Sequence, residues 1–458
     1  MNISGRSFKE IKVTRWICVV ISVFVSVSNA QAKLTAEEIA RLGADLTPMG
    51  AEKAGNAAGT IPAWTGELKQ PESYKNGDHH PDPFAADKPR VVIDKSNLNQ
   101  FNGQLSEGHK HLLGQYDNFS MAVYPSHRSA VYPQRIYAAV KKNAERAELV
   151  DDGEGLLNAM GGSPFPIPKS GHEVIWNHKM RYRGEAVQTF SGSTIVSSKG
   201  KFSLIKTRAL VKFMFSDPER ENDLDNNAAI QLVGTTVAPA RVAGNKLLVH
   251  QSINSVKEPR KSWIYLAGQR RTRRAPNIAY DAPTPSGEGF VVVDNTDMFN
   301  GAMDRYSWKL IGKQEMIIPY NSYALHSQNY KYKEILHKNH LNPEITRYEL
   351  HRVWVVEAEI KPEFRHRYSK RVFYVDEDSW QIAMIDQYDN KGNLISLAEG
   401  HPINYYENPL FWYTLEVIYN LEKGSYFASG LDNQEKMYDF SVRPKSSTFK
   451  STSLARMK

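Results

Sequence analysis

From residue 202 onward, apolar and polar side chains alternate along the chain. Between 202 and 215, Ile205, Thr207, Ala209, Val211, Phe213 and Phe215 fall on one side, with Lys206, Arg208 and Lys212 on the other. That period of two belongs to a half-buried strand. Stretches 247–253, 263–266, 290–293, 307–311 and 315–318 continue the series, and 345–360 reads as one long strand or a bent pair. Segments 371–375 and 380–388 flank Asp376-Glu377-Asp378-Ser379, which has the composition of a hairpin turn, and a second tight turn at 388–394 leads into a further strand. Helical and strand patterns do not alternate, so the neighbouring strands are expected to be antiparallel.

The chain before residue 169 has a different character. Thr35 and Glu38 stand at the spacing of a capping box, and Gly43 marks a helix stop. Residues 48–89 are rich in Gly, Ala, Pro and Asn, with isolated rings at Trp64, Tyr74 and Phe84. They read as an irregular segment pinned by those rings. Apolar residues at helical spacing predict helices within 96–115 and over 134–149, and 163–168 is a stiff, proline-rich connector. The expected fold class is mainly β (α+β): a large curved antiparallel sheet, formed by 169–458 and covered by helices and the irregular segment of 33–168. Together, 33–458 is expected to form one compact unit. A bent sheet under such a lid encloses an apolar hollow suited to a greasy ligand.

The first 32 residues change the expected compartment rather than the fold. Arg6, Lys9, Lys12 and Arg15 precede an apolar run at 16–27, and Ala30-Gln31-Ala32 fits a cleavage site. This is a signal peptide, with the mature chain starting at Lys33. The one cysteine, Cys18, lies inside the apolar run. The mature chain therefore has no thiol for a disulfide, a metal or nucleophilic attack, which fits a soluble, non-lipidated protein of the bacterial periplasm. Loss of four basic residues and one acidic residue lowers the net charge from +8 to +5. That excess is too mild to imply nucleic acid.

Candidate chemistry centres on a strand that runs into fixed positive charge. Trp263-Ile264-Tyr265-Leu266 is followed by Arg270, Arg271, Arg273 and Arg274, and an acidic turn, Asp294-Asn295-Thr296-Asp297, lies further on. Four guanidinium groups at a sheet rim suit an anionic headgroup or a partner surface, though a solvated turn has the same composition. Trp263, Tyr265, Trp354 and Trp412 are candidates to line the hollow; Trp354 and Trp412 equally suit core, as do Trp176 and Trp380. Tyr405-Tyr406 and 411–413 form the densest aromatic cluster.

No catalytic constellation stands out. Glu357 and Glu359 share one face of a strand and are the carboxylate pair an envelope glycan or lipid hydrolase would use; pairing with Lys370 or Arg371 explains them equally. His79-His80, between Asp78 and Asp82, sit beside Pro81 and Pro83 and are expected to be extended and exposed, and His337 and His340 read as surface residues. No metal or other cofactor is expected.

Several stretches carry a resemblance. Trp263-Ile264-Tyr265-Leu266 with Arg270-Arg271 and Arg273-Arg274 resembles the W-x-Y-L-P…R-R-x-R-R pattern of LolA-like outer-membrane lipoprotein-sorting proteins, with Ala267-Gly268 where that group has proline. The whole mature chain is similar to the DUF1329 family of exported proteobacterial proteins. That likeness rests on Gly268-Gln269-Arg270-Arg271 with Ala275-Pro276, and on Asp297-Met298-Phe299-Asn300-Gly301 with Asp304-Arg305-Tyr306-Ser307-Trp308-Lys309. It rests also on Pro319-Tyr320-Asn321, Tyr348-Glu349-Leu350-His351-Arg352-Val353-Trp354, and Tyr368-Ser369-Lys370-Arg371 followed by Asp376-Glu377-Asp378. The resemblance implies a LolA/LolB-like half-barrel. It also implies work beside an RND-type (MMPL) exporter and a DUF1302 outer-membrane protein, as a periplasmic shuttle for a lipid or other hydrophobic molecule. A scaffold between inner- and outer-membrane partners is the remaining alternative.

Overall fold

The computed structural model describes residues 33–457, apart from 221, 223, 225–226, 276–280, 285–286 and 288. The expected signal peptide with Cys18, and Pro276 of the family pattern, lie outside the described residues. Residues from Lys33 onward form one compact unit.

Among the described residues there are seventeen strands: β1 (Val91–Ile93), β2 (Met121–Tyr124), β3 (Glu148–Val150), β4 (Gly155–Leu157), β5 (Ala186–Val196), β6 (Ile205–Phe213), β7 (Ala228–Ala238), β8 (Lys246–Ser252), β9 (Lys261–Leu266), β10 (Arg271–Arg274), β11 (Tyr306–Pro319), β12 (Tyr348–Ile360), β13 (Lys370–Asp376), β14 (Ile382–Tyr388), β15 (Leu394–Tyr405), β16 (Leu410–Asn420) and β17 (Ser425–Leu431). Fifteen of them make one open sheet, and β3–β4 is a separate hairpin. From one edge the order is β11-β12-β13-β14-β15-β16-β17-β5-β6-β7-β8-β9-β10, antiparallel throughout. The exception to the antiparallel expectation is β2, which joins the start of β12 in parallel and brings β1 with it.

Two strand expectations change. Stretches 307–311 and 315–318 are one strand, β11, bent by a bulge between Leu310 and Gly312. Gly312 takes φ 130° there, where a side chain would be strained. Residues 290–293 form no strand: Val292 makes an isolated bridge to Pro283, and Val293–Asn295 is a 3-10 turn.

Helix α1 (Ala36–Ala40) has the expected Thr35–Glu38 capping box. Helices α2 (Glu107–Gln115) and α3 (Gln134–Arg146) fall within the predicted stretches. Helix α2 lies on β15, and its first amides, Glu107 N and Gly108 N, donate to the buried Asp386 carboxylate of β14 at 3.0 and 2.9 Å. A Cβ on Gly108 would sit 2.7 Å from Leu397, so close approach requires glycine. The pattern does not predict α4 (Gly171–Met180), where nine of ten residues are buried and no polar face survives to give a period. Its legible signal is Ser170 three residues before Glu173: the Ser170 side chain accepts from Glu173 N. Helix α4 packs on β11 and β12.

Over β12 to β15 both faces are covered: α4 lies over Val356, in the row of Phe373 and Ile385, while α2 lies over Asp386 and Leu397 on the other face; Trp176, Trp380, Tyr348 and Tyr405 are fully buried. At the other end, β6 to β9 are covered on one face by the C-terminal turns (Ser446–Phe449 and Ser451–Ser453). Phe449 and Leu454 pack there on Leu210, Val233, Leu248, Trp263 and Tyr265.

Candidate functional site

The register at the β10 edge sorts the four arginines. Arg273 is opposite Ile264 and Arg271 opposite Leu266; Arg274 is opposite Trp263 and Thr272 opposite Tyr265. Directly paired residues share a face of the sheet. Arg271 and Arg273 therefore extend the row Ala209–Gly234–Leu247–Ile264, which runs across four strands on the face away from the C-terminal cover. Beside that row lie Leu232 and Val249; Ala209, Leu247 and Ile264 are half-buried rather than sealed, and Gly234 is buried. Gly234 leaves a shallow place in the row, since a Cβ would have only ordinary contacts with Thr207 and Leu232. Arg270 turns the chain with φ 49°, and all four arginines are exposed. The result is an apolar stripe ending in two guanidinium groups.

The candidate aromatics do not gather around this stripe. Trp263 and Tyr265 face the C-terminal turns: Trp263 meets His250 edge-on at 5.1 Å, and Lys246 lies 5.0 Å from the Tyr265 ring while donating to Leu454 O. Trp354 stacks on buried Trp380 at 6.3 Å beneath Lys313. Trp412 packs on Phe213 and Tyr438 and donates to Asp297 Oδ1 at 3.3 Å. The acidic turn does not meet the arginine turn. Asp297 takes Arg181 and Arg183, which leave α4, and Asp294 takes Arg371 and His366. Against the upward push of burial, the two arginines hold the Asp297 carboxyl well below its usual range.

Glu357 is engaged by Lys370 at 2.5 Å, while Glu359 is exposed opposite Ser307. The pair shares a face, as the spacing predicts, but one carboxylate already has its cation.

Three groups of histidines and acids differ from the sequence reading. His80 is buried, not exposed, caged by Tyr74, Tyr405 and Tyr406. Its Nε2 lies 2.8 Å from Glu407 Oε2 and its Nδ1 3.3 Å from His326 Nε2; His326 Nδ1 lies 3.0 Å from Asp432 Oδ2. Both carboxylates accept, so each ring carries a proton on the nitrogen that faces its acid, and burial holds the His80 imidazole below its usual value. Tyr74 also donates to Glu407, which lines an open cleft of about 860 Å3 with His79, Glu435, Lys436 and Asp439. The legible signal was the Tyr405-Tyr406 doublet. His340 is likewise buried, edge-on to Phe119 with Nδ1 2.7 Å from Leu341 O. Asp376-Glu377-Asp378 is a turn, as predicted, yet all three acids are buried. Arg128 grips Asp378 through Nε and Nη2 at 2.8 and 2.7 Å, and Arg352 and Lys313 reach Glu377.

With this geometry in hand, comparison with other proteins identifies the chain's kin. The family described as a protein of unknown function, DUF1329, matches residues 92–455, and the chain belongs to that family. An uncharacterised protein of Pseudomonas aeruginosa is 43% identical over 433 residues, covering 94% of this chain and 95% of its own. Among solved structures, an outer-membrane lipoprotein-sorting protein domain from Vibrio parahaemolyticus is 14% identical, covering 63% of this chain and 99% of its own at a TM-score of 0.44. A DUF1329 protein from Desulfovibrio piger is 16% identical, covering 59% and 92% at a TM-score of 0.41. A LolA superfamily protein from Nitrosomonas europaea is 11% identical, covering 62% and 98% at 0.37. No helix among the described residues is long and apolar enough to cross a membrane.

Proposed function

We propose that this protein is a non-enzymatic carrier or accessory factor of the periplasm that binds an anionic amphiphile. An acyl chain lies along Ala209, Gly234, Leu247 and Ile264, and its acidic head meets Arg271 and Arg273. The observation that supports this reading is the shared face of stripe and arginines: a single register places apolar surface and fixed positive charge end to end. Covering roughly 200 Å2 of apolar surface contributes about 5 kcal/mol. Ordering costs reduce that figure, so the headgroup contacts raise the affinity to a useful level. The partners implied by the family likeness, an RND-type exporter and a DUF1302 outer-membrane protein, would give and receive this cargo at the same exposed edge. A hydrolase built on Glu357 and Glu359 finds no support in a carboxylate engaged by Lys370.

The test is binding of fluorescent lysophosphatidylglycerol and lysophosphatidylcholine to the mature chain. The anionic lipid should bind more tightly. Arg271→Ser with Arg273→Ser should lower its affinity roughly tenfold or more and leave the zwitterionic lipid unchanged. Equal affinity of wild type and double variant for the anionic lipid would refute the reading.

A further inference from the structure

The buried acidic turn after β13 contains one carboxylate without a cation. Asp376 is 1% exposed, and every donor that reaches it goes to the same oxygen: Ser379 N at 2.9 Å, Ser379 Oγ at 2.5 Å and Tyr320 Oη at 3.3 Å all approach Oδ2. Oδ1 is buried and has no hydrogen-bond partner. The nearby cations are committed elsewhere, Arg128 to Asp378 and Arg352 and Lys313 to Glu377; among the described residues no Lys or Arg pairs with Asp376. A buried carboxylate left in this condition is costly unless a proton or a cation completes it.

The surroundings favour a cation. One ligand atom each from His351, Asp376 and Asp378 lies within 4.8 Å of the others, and all three residues are buried. His351 reaches this point from β12, stacked on Tyr320 at 3.8 Å, and its Nε2 lies 3.1 Å from Glu349 Oε2. Glu349 is itself fixed by Arg347, at 2.7 Å, and by Asn321. A carboxylate that accepts one ring N–H leaves the other nitrogen to ligate, the usual support of a metal-bound histidine. The bidentate grip of Arg128 on Asp378 uses one lone pair of each oxygen and leaves the second. Trp380, at φ 59°, closes the turn that aims the two aspartates together, and its N donates to Asp376 O at 3.0 Å.

We propose that His351, Asp376 and Asp378 bind one first-row divalent cation. An imidazole with two carboxylates suits Zn2+, Mn2+ or Fe2+; Ca2+ needs more oxygens than converge here. The ion would join β12 to the β13–β14 turn from within, and the site is independent of the amphiphile stripe.

The experiment refolds the mature chain from urea with ZnCl2, with MnCl2 or with chelator, followed by desalting and elemental analysis. One ion per chain should remain after refolding with at least one of the metals, with a melting temperature several degrees above the chelator-treated sample. His351→Gln and Asp376→Asn should each abolish retention while unfolding stays cooperative. Should either variant fail to fold, Co2+-loaded wild type gives the second readout: visible ligand-field bands that shift when Zn2+ displaces the cobalt. No retained ion and no cobalt bands in wild type would overturn the proposal, as would full retention in both folded variants.

Discussion

Single residues here carry large, directional energies. Asp297 receives two guanidinium groups from the exit of α4 and the Trp412 indole. Asp297→Asn strands two buried cations and should cost about 3–5 kcal/mol, read as a lower urea midpoint. His172 gives a pH signature. Burial, aided by Lys361, pushes its imidazole down from 6.5 to about 4. The unfolded chain therefore takes this proton first. The contribution of His172 is complete above about 6.5 and is lost as pH falls through about 4. The melting temperature of wild type should drop over that window more steeply than that of His172→Gln. Residue identity announced little of this. Asp297 and Asp378 look like ordinary turn residues, and His80 like a solvated one, because the groups that pair with them come from chain segments more than a hundred residues away.

Elements were legible where they keep one wet face and obscure where they do not. Strand β6 keeps its alternation because it is only half-buried along most of its length, and α3 shows its period because one side stays exposed. Helix α4 is surrounded, so its pattern vanishes. The C-terminal turns are too short to show a period, yet they seal Leu248 and Val233. Phe449→Ala should cost about 3–5 kcal/mol in urea unfolding, with increased binding of an apolar dye as Trp263 is uncovered. Strand β10 was visible as charge rather than as strand. Its arginines also guard the last strand of the sheet among the described residues against association with a second sheet.

At the scale of the molecule, alternation and turns made the mainly β architecture legible. The order of the sheet was not, because β17 pairs with β5 across more than two hundred residues of chain. Composition likewise could not show that the helix-covered half is filled by its own side chains, while the half-buried apolar row lies beyond it. Loss of acidic lipid binding in the arginine double variant and loss of retained metal in Asp376→Asn are expected to be separable. The two sites lie on different strands, and neither variant should affect the other's readout.

The unequal cover of the sheet has a kinetic consequence. Backbone amides of β13 to β16 are sealed under helices and rings, whereas β8 and β9 have cover on one face and the exposed β10 is the last strand of the sheet among the described residues. Deuterium from solvent should enter the β8–β10 amides orders of magnitude sooner, through local opening that leaves the rest intact. A long-chain anion seated across Leu247 and Ile264 should slow that uptake in these three strands and nowhere else.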